Sequence, residues 1–262
     1  KEARLLDTDP ALRADLNREV LDYVEDFLQG VEDAPAFRPE PGTLSILDEH
    51  IPESGRGLSV ALETLYEQVD HVGIATTSPR FMGYIPGGGL YHSALGDMLA
   101  AVANRYAGVY FASPGAVRIE NQCLKWKADL VGYPSTFGGY LSAGGSLANF
   151  TAVVTARDAC GIKADAIPRS VIYLTDHAHH CIDKAIHLAG LSECVIRRIP
   201  VDDGYRMDAE ALQAQVLNDE KEGLTPFFVM ASAGTTNTGS VDPIEQIGQI
   251  AQTHSIWYHI DG

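Results

Sequence analysis

Cationic side chains are scarce in this chain. Lys and Arg number 19 against 35 Asp and Glu, a formal net charge of −16. That balance argues against nucleic acid or an anionic membrane as a partner, because both need basic surface. Cysteine is sparse too. Cys123, Cys160, Cys181 and Cys194 follow neither a zinc-ligand spacing nor a dense disulfide framework. A reduced, cytoplasmic setting is the simplest reading. Long apolar runs are missing: the stretch at 98–103 meets Asn104 and Arg105 too soon to span a bilayer. Residues 1–7 carry charges and no apolar core, so they do not read as a signal peptide. No internal repeat or low-complexity tract stands out.

What is present is an ordinary globular composition. Apolar residues make up 45% and charged residues 21% of 262, which suits one large domain or two unequal ones. Residues 7–29 show helical periodicity, with Leu12, Leu16, Val20 and Phe27 on one stripe among Arg13, Asp15, Arg18 and Glu19. Pro35, Pro39, Pro41 and Gly42 break it. A short helix is expected near 59–72, a loop over 78–89, and helices near 91–104 and 114–131. From residue 139 the rhythm changes. Strands are expected at 170–174, 194–199, 226–232 and 256–260, separated by helices at 182–188, 208–222 and 243–253. Strands alternating with helices imply a parallel sheet covered on both faces. The expected organisation is a helical N-terminal segment, 1–85, followed by an α/β domain, 86–262.

In such sheets ligands bind outside the carboxyl ends of the strands. The residues there are informative. Thr175, Asp176, His177, Ala178, His179 and His180 follow the first strand, Gly234, Thr235, Thr236 and Asn237 the third, and Asp261 the last. Gly144, Gly145, Ser146, Leu147 and Ala148 open a helix ahead of the first strand. Glycines let a backbone approach an anion, and the N–H groups of a new helix point at it. Alone, such a turn is most often only a turn. The histidine cluster has three readings: a hydrogen-bonded polar turn, a shared metal ion, or one imidazole lying flat on an aromatic cofactor. His259 and Asp261 are expected on opposite faces of the last strand, which counts against one metal joining both to the cluster. No metal-ligand set is assigned. Asp261 by itself fits a helix cap or a structural ion pair as well as a functional site.

Taken together, SPRFMGYIP (78–86), ASPGAVRIE (112–120), SAGGSLAN (142–149), DHAHHCIDKA (176–185), AGTTNTGSVD (233–242) and WYHIDG (257–262) resemble, in order, the group II pyridoxal-phosphate-dependent amino-acid decarboxylases. The resemblance runs from about residue 70 to the end. It implies the PLP-dependent transferase fold (fold type I), a mostly parallel α/β sheet, with pyridoxal 5'-phosphate as cofactor. Asp261 matches the aspartate that pairs with the pyridine nitrogen. His179 matches the histidine that stacks on the ring, and Thr236 a threonine near the ring and the substrate carboxylate. Ser146, Leu147 and Ala148 match the phosphate-binding turn. Asp242 matches a recurring aspartate that supports its loop.

The implied reaction is α-decarboxylation of an L-amino acid through an external aldimine and a quinonoid intermediate, in a homodimer whose N-terminal segment packs on the partner. The internal-aldimine lysine of the family lies beyond the position of Asp261. None of Lys125, Lys127, Lys163, Lys184 or Lys221 stands in a matching context, so the chain is expected to be part of a longer polypeptide that carries the rest of the fold. In the region that lines the substrate pocket, Tyr84, Tyr106 and Tyr110 are aromatic, while Thr76, Ile85 and Gly108 stand where aromatic-specific members often carry Trp or Phe. Arg105 there is either a surface residue or a partner for an acidic substrate. The alternatives are an aminotransferase or carbon–carbon lyase of the same fold, a metal-dependent hydrolase using His177, His179 and His180, and a non-catalytic oligomerisation module.

Overall fold

The computed structural model of the chain describes residues 8–39, 50–51, 53–85 and 87–262. Pro41, Gly42 and Pro86, which the sequence pattern treats as breaks, lie outside them. The chain divides into two units, Lys1–Val102 and Ala103–Gly262. The sequence rhythm instead places its boundary at 85/86, before the helix that closes the first unit. No helix among the described residues is long and apolar enough to cross a membrane.

The first unit is helical. Helix α1 (Pro10–Gly30) starts where Asp9 caps it: the Asp9 carboxylate accepts from the Leu12 N–H at 2.9 Å, and Pro10 occupies the first turn. Among the described residues its apolar stripe is largely exposed at Leu12, Val20 and Phe27, and the helix has no buried residue. Helix α2 (Leu58–Leu65) runs on into one wide π-turn, Tyr66–Asp70. The Tyr23 hydroxyl of α1 bonds the Asp70 carboxylate at the end of that turn. Two short strands, β1 (Phe37–Arg38) and β2 (Gly73–Ile74), pair antiparallel. The Ser78 hydroxyl donates to Ala34 O at 2.6 Å and holds the start of the 78–86 segment against the exit of α1. Helix α3 (Tyr91–Ala103) closes the unit.

The second unit carries the sheet. Helix α4 (Pro114–Val131) stops at Gly132, whose left-handed φ of 75° is the usual helix terminator. Helix α5 (Gly145–Ala159) leads into β3 (Ser170–Leu174); α6 (Cys181–Leu188), β4 (Val195–Arg198), α7 (Ala209–Lys221), β5 (Thr225–Ser232), α8 (Ile244–Thr253) and β6 (Trp257–Asp261) follow. All four strands are parallel, in the order β4-β3-β5-β6. The strands and helices expected over 170–260 are all present, to within a residue or two.

Side-chain alternation sorts the core into two layers. Ile172, Leu174, Phe228 and Met230 pack with Val153 and Ala156 of α5 and Ile182, Ala185 and Ile186 of α6. Val171, Tyr173, Val229 and Ala231 pack on the other face with Leu212 and Val216 of α7 and Ile247, Ile250 and Ala251 of α8. Each layer buries several large aliphatic side chains, at about 1.5–3 kcal/mol each. The order has a functional consequence. The chain moves outward from β3 to β4, then returns to lay β5 on the other side of β3. The reversal puts the topological switch point between the carboxyl ends of β3 and β5, the place at which open α/β sheets bind ligands.

Candidate active site

Three segments converge at the carboxyl edge of the sheet. The first is the turn into α5. Gly144 has φ 133° and ψ 166°, a backbone region essentially closed to residues with a Cβ. Its carbonyl accepts from both Leu147 N and Ala148 N at 3.1 Å. Those two amides therefore close the first turn of the helix. The Gly145 and Ser146 N–H groups have no backbone partner among the described residues. With the helix dipole they could hold an anion. A Cβ built on Gly144 or Gly145 would meet no atom within 4 Å, so the approach is clear.

The second segment follows β3. His179 Nδ1 accepts from the Cys181 N–H at 3.3 Å, at the start of α6. With Nδ1 an acceptor, the ring proton belongs on Nε2. His180 lies beside it, ring centroids 4.2 Å apart, while His177 meets Tyr205 edge-on at 5.5 Å. No group of three or more His, Cys, Asp or Glu side chains converges as a metal site among the described residues. Arg198, at the end of β4, braces this loop. It donates to Thr175 O at 3.1 Å and to the Asp183 carboxylate at 2.6 Å.

The third segment follows β5 and lies beside the end of β6. The Asp242 carboxylate is buried and accepts from Met207 N and Ser232 N, both at 2.7 Å. It shapes the loop 233–242. Thr236 sits half-buried on that loop. Thr235, Thr238 and Ser240 form a hydroxyl chain ending on Gly204 O. The Ala233 N–H donates to Asp261 O at 2.7 Å, which fixes the loop to the tip of β6.

One side chain joins these parts. Asn149 lies one turn into α5 and is only 3% exposed. Its amide nitrogen donates to Asp261 Oδ1 at 3.0 Å and to Cys181 Sγ at 3.4 Å, and its oxygen lies 2.5 Å from His259 Nε2. Asp261 Oδ2 makes no hydrogen bond among the described residues. His259 and Asp261 therefore face the same side of the sheet. The expectation of opposite faces fails because residues two apart on a strand share a face; Trp257, packed on the same layer, continues that row. Burial lowers the His259 pKa, against the pull of the Asp261 charge. Burial likewise raises the Cys181 thiol, so it stays protonated.

Sequence reasoning gave Asn149 no role. The signal was there: Asn149, Val153 and Ala156 fall at i, i+4 and i+7, so the asparagine is a polar residue on the buried stripe of α5. Arg198 left no comparable signal, because its role depends on neighbours distant in sequence.

A parallel α/β sheet with an open helix N-terminus and a carboxylate on one rim could hold a ligand that carries both an anion and a basic nitrogen. The comparisons make the assignment specific. Residues 41–262 match the pyridoxal-dependent decarboxylase conserved domain, and the chain belongs to that family. An aromatic-L-amino-acid decarboxylase of Bacillus atrophaeus is 34% identical over 220 residues, 82% of this chain and 45% of its own length. The crystal structure of Rhodiola rosea 4-hydroxyphenylacetaldehyde synthase superposes with a TM-score of 0.87 at 28% identity, covering 97% of this chain and 57% of that one. The structure of Oryza sativa TDC with PLP and tryptamine gives 0.87 at 27%, covering 98% and 56%. The chain thus spans about half the length of the relatives it matches, and it has the PLP-dependent transferase fold.

Proposed function

We propose that the protein is a pyridoxal-phosphate-dependent carboxy-lyase that converts an L-amino acid to its amine and carbon dioxide. The observation that carries this is Asp261: Asn149 occupies one carboxylate oxygen and the other has no partner among the described residues, on the rim that also bears the open N-terminus of α5. Those features fit the two ends of the cofactor, its pyridine nitrogen and its phosphate. When bound, it supplies an electron sink for the pair left at Cα as carbon dioxide departs.

The chain's own residues supply the rest. Asp261 Oδ2 holds a proton on the ring nitrogen by accepting from it. Gly145 and Ser146 donate backbone N–H groups to the phosphate, and Leu147 and Ala148 shape the turn that aims them. His179, its ring set by the Cys181 N–H, would cover one face of the bound cofactor and could donate from Nε2. Thr236 contributes a hydroxyl beside the substrate carboxylate. The reading requires a Schiff-base lysine, which the family carries beyond the position that Asp261 matches.

Aromatic L-amino acids are the first substrates to test, because the similar proteins named above act on or bind aromatic compounds by name. The working form is a homodimer with 1–85 packed on the partner. The uncovered stripe of α1, with Leu12, Val20 and Phe27 at 47%, 40% and 36% exposure, supports this. Four free thiols suit a cytoplasmic setting. The test is to add pyridoxal phosphate to the full-length protein, record its visible spectrum and trap carbon dioxide from a panel of amino acids. Product analysis separates amine from aldehyde and keto acid. Absence of both an absorbance band for lysine-bound cofactor and carbon dioxide from any amino acid would sink the proposal. Sizing with and without cofactor tests the dimer.

A further inference from the structure

We infer that Asn149 is a positioning residue, which sets the direction in which Asp261 can accept a proton and ties that carboxylate to the anion-binding turn. The inference rests on the cofactor reading above and deepens it.

The orientation of the amide follows from chemistry rather than from atom labels. An ionised carboxylate can only accept. The Asn149 group 3.0 Å from Asp261 Oδ1 must therefore be the NH₂. Its oxygen then faces His259 at 2.5 Å, so His259 Nε2 must carry a hydrogen. The hydrogen bonds run one way, from His259 to Asn149 to Asp261. The amide cannot turn over without setting two acceptors against each other at Asp261 and two donors at His259. The same NH₂ also contacts Gly145 O at 3.2 Å and Cys181 Sγ at 3.4 Å.

Two consequences follow. A proton on Oδ1 would point at an N–H donor, so any proton shared by Asp261 goes to Oδ2, the oxygen left for the cofactor. In addition, the residue that orients Asp261 stands four positions after Gly145 on the same helix. The distance between the phosphate donors and the nitrogen partner is thereby set by one rigid turn of α5 and one amide. His179 joins the same unit through Cys181, whose N–H it accepts and whose sulfur Asn149 touches.

The test uses the full-length holoenzyme. In the wild-type protein, ¹⁵N NMR of the histidines, with His259 assigned by its loss in His259→Phe, is expected to show a neutral ring protonated on Nε2. A ring protonated on Nδ1 alone reverses the chain of donors and overturns the inference. With ¹⁵N-labelled pyridoxal phosphate bound, Asn149→Ala is expected to shift the ring-nitrogen signal toward the unprotonated value. It is also expected to lower kcat by about 10²-fold with KM changed by no more than about threefold, as a small misplacement of a catalytic group does. His259→Phe leaves Asn149 in place but unlocks its amide, and is expected to move both readouts in the same direction by less. A folded Asn149→Ala protein with wild-type ring-nitrogen signal and kcat overturns the inference. If Asn149→Ala does not fold, His259→Phe decides by the same two readouts. A wild-type protein that neither binds the cofactor through lysine nor releases carbon dioxide refutes the functional reading instead, and is seen before any variant is made.

Discussion

Removing the Asp219 carboxylate is the sharpest test of how the sheet is held. Asp219, on α7, is fully buried. It accepts from Arg197 Nη2 at 2.6 Å and Nε at 3.1 Å, from the Tyr173 hydroxyl at 3.0 Å and from Gln215 Nε2 at 3.0 Å. Tyr173 is on β3 and Arg197 on β4, so one carboxylate clamps two strands to the helix that crosses them. The Tyr173 phenol is held far above its ordinary pKa, first by burial and then by the Asp219 charge, so it acts as a neutral donor. Asp219→Ala leaves that buried hydroxyl unpaired, at about 1–3 kcal/mol. It also leaves a guanidinium without its anion, and breaking a buried pair in this way costs about 3–5 kcal/mol. The Arg197 side chain is 31% exposed and can reach water, so the second cost applies only in part. We expect a net loss of about 3 kcal/mol, or about 6–12 °C in Tm at about 2–4 °C per kcal/mol for a domain of this size. Tyr173→Phe removes only one donor, and its expected loss is about 1 kcal/mol. Urea titrations of the full-length protein and both variants measure these differences. A loss below about 1 kcal/mol for Asp219→Ala would refute the clamp, because it would show that the buried charge contributes no more than a single neutral hydrogen bond.

Gly144→Ala forces a Cβ into a glycine-only conformation, at about 1–3 kcal/mol. Because nothing crowds that Cβ, the expected effect is a distorted turn and a several-fold weaker affinity for pyridoxal phosphate, read by absorbance titration; unchanged affinity would show that the turn does not hold the phosphate. Asp261→Asn keeps the side-chain shape but removes the anion, and is expected to cut kcat by about 10²-fold or more, as loss of one electrostatic stabiliser does; a fall of less than about tenfold would refute the assigned role. Burial depresses the His259 pKa below 6.5. The unfolded chain therefore takes up that proton first. The stability His259 contributes is complete above about pH 6.5 and declines as pH falls toward the folded value. Between pH 7 and pH 5.5 the Tm of His259→Phe should fall less than that of wild type; equal slopes would show that the ring is not buried neutral.

The α/β half of the fold was legible because its strands are short apolar runs between helical periods, and because side-chain period alone sorts Ile172 from Tyr173. The antiparallel pair β1–β2 was not: two residues per strand leave no period to detect. The wide turn at Tyr66–Asp70 was also invisible, since a π-turn differs from an α-helix in hydrogen bonding and not in composition. In the site, the residues at strand ends were found because topology alone puts them on the ligand rim. Asn149 was missed because it lies a turn inside a helix, past the opening glycine turn, and because its value lies in partners more than a hundred positions away, His259 and Asp261. The exchange of faces at His259 was an error of register logic: a two-residue step returns to the same face.

That shared face gives the arrangement its chemistry. If His259 faced away from Asp261, Asn149 would have no donor on its oxygen, and its amide would be free to present either end to the carboxylate. With both on one face, a half-buried neutral imidazole fixes the amide, and the amide fixes the carboxylate. The order of the sheet then sets the direction of the open oxygen. β6 lies beside β5, whose loop is tied to the Asp261 carbonyl and shaped by Asp242, and β5 lies beside β3, whose loop carries His179. On the proposed reading, a ring held between Asp261 and the Gly145–Ser146 amides would lie at the β3/β5 switch point. In that position His179 can cover it from the β3 side and Thr236 can approach it from the β5 side. The alternation of β6 and the reversal of strand order thus act together, and the proposed joint use of Asp261, His179 and the Gly145–Ser146 turn depends on both.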